Sequence, residues 1–226
     1  MASVAAVAKA ARETEDITLL RYRTAGEMPQ EGAIKGGAAL STEPRALSMR
    51  MSSAKSGDTV EPRVVGKALH VNGVAEAAKE TGGKSRLKLD ASALGRAAND
   101  LSANSMTAAE AAFLTGAKDV KKVGTETVDG VRTTHYAGRV TLADVKAAAA
   151  ESGDKAARER RAKSVEQYEK MGVDALTMDM WVDGDHHTKR FRMRGEADKG
   201  PLDMTVTVPP AKDTTDLAQL MKDAQG

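Results

Sequence analysis

The chain of 226 residues is dominated by alternation of apolar and polar residues at every second position. This period is typical of strands that bury one face. In the clearest run, 46–52, the odd positions hold Leu or Met and the even positions hold Ala, Ser or Arg. Similar shorter runs begin at Ile17, with a first turn at Ala25-Gly26, and end near Leu89. We therefore predict a meander of about six strands in this part of the chain.

Strand periodicity returns over residues 175–208. The Asp183-Gly184 turn divides this region, and Pro209-Pro210 ends it because proline cannot donate to a ladder. Upstream, Asp129-Gly130 joins the runs 120–128 and 131–142. This dipeptide suits the positive φ angles of a type I′ turn, so a hairpin is predicted there.

Helical periodicity occurs in four places. Residues 3–13 form an amphipathic pattern, and 90–118 has a capping signal at its centre and a glycine at its end. Residues 143–171 read as helix with a break near Ser152-Gly153, and 216–224 predict a short last helix.

Strands linked by turns, with only a few helices, indicate an α+β fold built on an antiparallel sheet. At this length one domain over 1–226 is expected. Its predicted parts are an N-terminal helix 3–13, a strand-rich part 16–89, a helix and hairpin 90–142, a helical insert 143–171, strands 175–208 and a C-terminal tail 209–226.

The charge balance excludes one class of partner. With 34 Lys+Arg against 32 Asp+Glu, the net charge is only +2, so nucleic acid is not an expected partner. The 11 methionines and an aromatic content of 3% indicate an adaptable interior. No apolar run is long enough to span a bilayer, and the first residues lack a signal peptide's apolar core.

Catalytic motifs are missing from the sequence. The chain has no cysteine and no Gly-x-Ser-x-Gly elbow, and Gly82-Gly83-Lys84 lacks the other glycine of a P-loop. His186 and His187 lie beside acidic turn residues, but neighbouring residues of a strand point to opposite faces and seldom chelate together. His70 and His135 are interpreted as ordinary strand residues. We predict no enzyme activity, catalytic residue, metal or cofactor.

The apolar side of the predicted strands is the one candidate site. It is either a plain core covered by helices or the lining of a slot where methionines adapt to a greasy ligand. Its residues are Leu47, Met49, Met51, Leu87, Leu89, Leu176, Met178, Met180, Phe191, Met193, Leu202, Met204 and Val206.

Three segments carry a resemblance to a known family. The run from Val123 to Tyr136, VGTETVDGVRTTHY, continues to Val140-Thr-Leu and resembles the central hairpin of actinobacterial envelope lipoproteins of the LppX/LprG type. Met178-Asp-Met-Trp-Val-Asp-Gly and Arg192-Met-Arg resemble the next strands of those proteins.

The resemblance implies a strongly curved half-barrel sheet like that of the LolA and LolB lipoprotein carriers. Helices pack on its concave face around an apolar cavity, and some members bind acylated lipids or glycolipids. It further implies export to the extracellular side of the cytoplasmic membrane or the cell envelope, through a signal and a lipid-bearing Cys upstream of residue 1. Contact with the membrane would be through that anchor alone.

The sequence supports two hypotheses of function. The first is a non-enzymatic lipoprotein domain that binds or carries a lipid or other hydrophobic ligand in the cavity. The alternative is a protein-interaction or signalling lipoprotein domain with a packed core and no ligand. Such a domain would meet an envelope protein through the polar sheet face or the Arg190, Arg192 and Arg194 stripe.

Overall fold

The structure is a computed structural model. It describes residues 2–15, 19–42, 45–57, 59–65, 68–72, 86–90, 113–115, 117, 119–150 and 155–209. The helices predicted around Thr107 and over 216–224 fall outside these residues, except that 113–115 are helical.

Three longer helices lie within the described ranges: α1 Ala2–Glu15, α2 Leu142–Ala150 and α3 Lys155–Lys170. Thr141 caps α2, because its hydroxyl oxygen accepts the amide of Asp144 at 3.1 Å. α2 and α3 correspond to the predicted insert with its break. None of the described helices combines the length and the apolar character needed to cross a membrane.

Eleven strands of the described chain form one antiparallel sheet. They are β1 Leu19–Met28, β2 Gly32–Thr42, β3 Arg45–Ser53, β4 Thr59–Val65, β5 Ala68–Asn72, β6 Arg86–Asp90, β7 Lys121–Val128, β8 Val131–Thr141, β9 Ala175–Val182, β10 Thr188–Ala197 and β11 Gly200–Thr207.

The sheet consists of two meanders that meet at their first and last strands. Its order is β6-β5-β4-β3-β2-β1-β11-β10-β9-β8-β7, so β1 pairs with β11 and the two halves of the chain extend outward from that pair. The predicted antiparallel α+β fold with a curved sheet is confirmed, including six strands in the first meander.

The main core lies between one face of the sheet and the helices. α1 contributes Val7, Ala10 and Ala11, which share one face of that helix and are buried. Leu142 and Val145 of α2 join the same cluster. Each fully buried aliphatic side chain stabilises the fold by about 1.5–3 kcal/mol.

Two aromatic rings connect α3 to this core. The rings of Phe113 and Tyr168 meet edge to face, with centroids 6.1 Å apart. The Tyr168 hydroxyl donates to the sulfur of Met193 on β10 at 3.1 Å. This largely charged helix is therefore held on the sheet by Tyr168 together with the buried Val165.

The hairpin predicted at Asp129-Gly130 is confirmed. Both residues have positive φ, 48° and 82°, as a type I′ turn requires. The first turn was predicted wrongly at Ala25-Gly26, since β1 runs on to Met28 and the turn comes at 29–31. Gly26 stays in the ladder because its missing side chain admits the carbonyl of Asp203 on β11.

Glycines in the two central strands should be irreplaceable. A Cβ at Gly26 would overlap the Asp203 carbonyl oxygen, and a Cβ at Gly36 would overlap that of Arg50. We expect Gly26→Ala and Gly36→Ala each to lower the free energy of unfolding by about 1–3 kcal/mol, measured in urea. Gly124→Ala is the matched control, since a Cβ there meets nothing within 4 Å. Equal stability of all three variants would contradict this account of the close strand approach.

Candidate functional site

The predicted apolar residues share one face of the sheet, here called the apolar face. The backbone register aligns Met180, Phe191 and Val206 across β9, β10 and β11. The same row continues through Thr24 and Gly36 to Met51 on β3. Strands from opposite ends of the chain therefore contribute to a single surface.

Burial divides this face into two parts. Leu176, Met178 and Met180 of β9 have no solvent exposure, and Phe191, Met193 and Leu202 are also buried in the main core. In contrast, Met49, Met51, Met204 and Val206 are half-buried. Leu47 is buried but lies outside the main cluster.

Leu87 and Leu89 belong to the edge strand β6. In the register they oppose Val71 and Leu69 of β5, which extends the apolar rows to the sheet edge. Their side chains are not among those the structure describes.

The described helices lie against strands β7 to β10 of the second meander. α1 contacts β7, β9 and β10, and α2 contacts β8. Leu114, in the helical stretch 113–115, also packs closely on β8, because a Cβ on Gly138 would lie 3.0 Å from Leu114 Cδ1. The part of the apolar face on β8, β9 and β10, together with Leu202 of β11, is consequently a packed core.

The opposite side of the sheet, the polar face, carries a cluster that the sequence did not reveal. It consists of Glu126, His135, Asp179, Trp181, Arg190 and Arg194, and we call it the clamp. The two ring nitrogens of His135 lie 2.9 Å from Glu126 Oε1 and 2.8 Å from Asp179 Oδ1. Arg194 donates to the other oxygen of Asp179 at 2.6 Å.

Trp181 completes the clamp. Its indole nitrogen donates to Glu126 Oε2 at 2.9 Å, and its ring stacks on His135 with centroids 4.2 Å apart. The guanidinium of Arg190 lies over the Trp181 ring, 5.5 Å from the ring centroid. Four neighbouring strands, β7 to β10, are thus linked through their side chains.

The arginine stripe of β10 is largely engaged within the sheet. Arg192 makes a bidentate contact with Asp203 at 2.8 and 2.6 Å. Arg194 is held by Asp179, and Arg190 lies over Trp181. An acidic partner would have to compete with these contacts.

The acidic turn after β9 brings together three side chains of the types that bind cations. Ligand atoms of Asp183, Asp185 and His187 lie within 4.8 Å of one another. However, Asp183 Oδ1 accepts the amides of Asp185 and His187, and Lys189 lies 3.2 Å from its Oδ2. Burial raises the pKa of Asp183, but these donors outweigh it and the net pKa lies below the usual value. The contacts explain the turn without an ion.

Two carboxylates of the polar face have lowered pKa values. The indole N–H of Trp181, together with the weaker effect of His135, lowers the pKa of Glu126 against the effect of burial. The guanidinium of Arg192 lowers the pKa of Asp203 in the same way. Both carboxylates therefore favour the folded state when charged.

Sequence reasoning missed the clamp because its members lie on two hairpins, β7–β8 and β9–β10, which are separated in the chain by the helical insert. Trp181 and Asp179 alternate with core residues, so the pattern assigned them to a polar face, yet they are only 7% and 6% exposed. The one available signal was a tryptophan at a polar position.

Comparisons with known proteins agree with the architecture. No protein-family model matches the chain. A 31.2 kDa protein encoded in the rplA–rplJ intergenic region of Streptomyces griseus is 28% identical over 233 residues, covering 95% of this chain and 75% of that protein.

Two solved structures share the fold. The lipoprotein LppX of Mycobacterium tuberculosis superposes with a TM-score of 0.55 at 15% identity, over 92% of this chain and 93% of LppX. LprF of Mycobacterium bovis superposes with a TM-score of 0.55 at 11% identity, over 94% of this chain and 95% of LprF. The predicted LppX/LprG type of fold is confirmed.

Replacement of Asp203 by asparagine should show how much the ion pair between Asp203 and Arg192 stabilises the fold. The lowered pKa means that Asp203 stabilises the fold above its unfolded pKa of about 3.9, and that this contribution is lost as pH falls through the folded pKa. Since both side chains are partly solvated, Asp203→Asn should cost less than about 1 kcal/mol at about pH 7. In urea unfolding the difference from wild type should shrink below about pH 4. A difference independent of pH would show that the charge is not its cause.

Proposed function

We propose that this chain, which has the LppX/LprG type of fold, is a non-enzymatic envelope domain that binds or carries a lipid or other hydrophobic ligand on its apolar face. The observation that carries the proposal is the continuity of that face. The same register row that runs through the packed core at Met180 reaches a half-buried methionine at Met51.

The two parts of the face have different roles in this proposal. Leu176, Met178, Met180, Phe191, Met193 and Leu202 form the rigid floor under the helices. The ligand contacts the first meander and the central strands. Its proposed lining there is Leu47, Met49, Met51, Leu87, Leu89, Met204 and Val206.

Methionine suits such a lining. Its unbranched thioether side chain takes several shapes at small cost, so one surface can fit acyl chains that bend differently. Met49 and Met51 lie on the same strand and on the same face. Because this floor is already packed, little of the free energy of binding would be lost to ordering the protein when the ligand binds.

The absence of catalysis is part of the proposal. Histidine and carboxylates do meet in the clamp, yet their hydrogen bonds are directed to one another and to Trp181 and Arg194. A general base must instead have an atom available to the substrate. Location in the envelope, with a lipid anchor upstream of residue 1, is proposed from the resemblance and from LppX being a lipoprotein.

Native mass spectrometry with organic extraction tests the proposal. The protein should be purified under mild conditions from an actinobacterial host, and we expect a lipid of defined mass to accompany it. The Met49→Asp, Met51→Asp double variant should retain at least about tenfold less lipid, because a carboxylate opposite an acyl chain costs several kcal/mol.

Ser48→Asp, Ser52→Asp is the matched control. These positions alternate with the methionines on the same strand and belong to the polar face, so this variant should carry lipid like wild type. A wild-type protein that stays bare after incubation with envelope lipids would contradict the proposal. Equal lipid loss in both double variants would show that the apolar face is not the site.

The packed core on β8, β9 and β10 also favours the alternative of a protein-interaction domain. Its test is capture of an envelope protein by wild type and by Arg190→Glu, Arg192→Glu and Arg194→Glu variants whose folding is verified by circular dichroism. Capture lost only in these variants, in a protein that binds no lipid, would select this function.

A further inference from the structure

The tip of the β7–β8 hairpin, residues 125–133, leaves the plane of the sheet. β8 pairs with β9 only from Thr134 onward, and β7 carries a register shift between Lys122 and Gly124. Arg23 of β1 donates to Asp129 in the hairpin turn at 2.5 Å. β1 and β8 are four strand spacings apart, about 19 Å. Since the two side chains cannot span that distance, the hairpin tip leans across the polar face.

Glu126 provides a second connection between the hairpin tip and the sheet. This residue accepts from Trp181 of β9 and contacts His135 of β8. Side chains on a polar face are ordinarily exposed to solvent, yet Trp181 and His135 are only 7% and 9% exposed. The hairpin tip and the clamp together shield them from water.

Hydrogen bonding at His135 depends on its protonation. Each ring nitrogen lies within 2.9 Å of a carboxylate oxygen. A charged carboxylate can only accept, and a neutral imidazole has one donor. Only an imidazolium donates to Glu126 and to Asp179 at once.

The charges around His135 determine the cost of removing one ring proton. Glu126 faces the ring from β7, Asp179 from β9, and Arg190 and Arg194 approach from β10. Arg194 already engages the second oxygen of Asp179. A neutral ring would therefore leave a nitrogen lone pair against a carboxylate oxygen, either that of the half-exposed Glu126 or that of the buried Asp179, which is unfavourable.

We propose that the hairpin tip is a proton-operated cover on the polar face. It stays closed while His135 carries both ring protons, and it lifts from Trp181 when one proton is lost. The part that opens is small, because β8 from Thr134 onward remains paired with β9. Opening exposes Trp181 and the guanidinium of Arg190, which makes a stacking and cationic surface available only at higher pH.

Trp181 reports directly on the cover because the chain has one tryptophan. Quenching of its fluorescence by acrylamide should be measured from about pH 5 to about pH 9, together with the ring resonances of His135 by NMR. We expect the quenching constant to rise severalfold with a midpoint that coincides with proton loss from His135. Acrylamide accessibility is used because the ring charge alone can alter the intensity.

Three variants distinguish movement of the hairpin tip from a general loosening of the sheet. His135→Gln should abolish the pH-dependent step in accessibility, whereas His186→Gln, in the turn after β9, should leave it unchanged. Glu126→Gln should weaken the closed state, so that Trp181 is more accessible at acidic pH than in wild type. Circular dichroism across the range checks that the sheet stays folded.

The wild-type protein alone can overturn the proposal. Accessibility of Trp181 that stays flat while His135 loses its proton would exclude a cover operated by this residue. The same pH-dependent step persisting in folded His135→Gln would assign it to another group. Neither measurement involves a lipid, so the result is independent of ligand binding on the apolar face.

Discussion

The antiparallel pairing of β1 with β11 is the contact on which the rest of the structure depends. This pairing connects the two meanders into one sheet. It places the first strand in the chain beside the last. Gly26 makes the pairing possible because no Cβ separates it from the Asp203 carbonyl. One continuous apolar face and one continuous polar face result from this junction.

The apolar face shows why a core and a binding surface can share a sequence pattern. Met178 and Met51 both occupy apolar positions of alternating strands, but α1, α2 and α3 gather over the second meander. Met178 is completely buried there, while Met51 remains half-buried. The pattern specifies which face is apolar, and helix placement decides how much of it is filled.

The polar face carries a different constraint. Asp179 and His135 are buried ionisable groups, and such groups are costly unless hydrogen bonds satisfy them. Glu126 and Arg194 complete those bonds from the strands on either side. Because the clamp spans four strands, its hydrogen bonds also fix the register between them. Apolar contacts on the other face specify the register less strictly, since they are not directional.

Local sequence determined the elements whose signals are local. Alternation predicted the strands and their apolar face, Asp129-Gly130 predicted its hairpin, and the resemblance predicted the LppX/LprG type of fold. Gly26 was misread as a turn because its partner Asp203 is far away in the chain. The clamp, the division of the apolar face and the lean of the hairpin tip were decided by tertiary structure alone. Each depends on contacts between strands whose neighbours the sequence does not specify, since a period-two pattern assigns a side chain to a face but not to a partner.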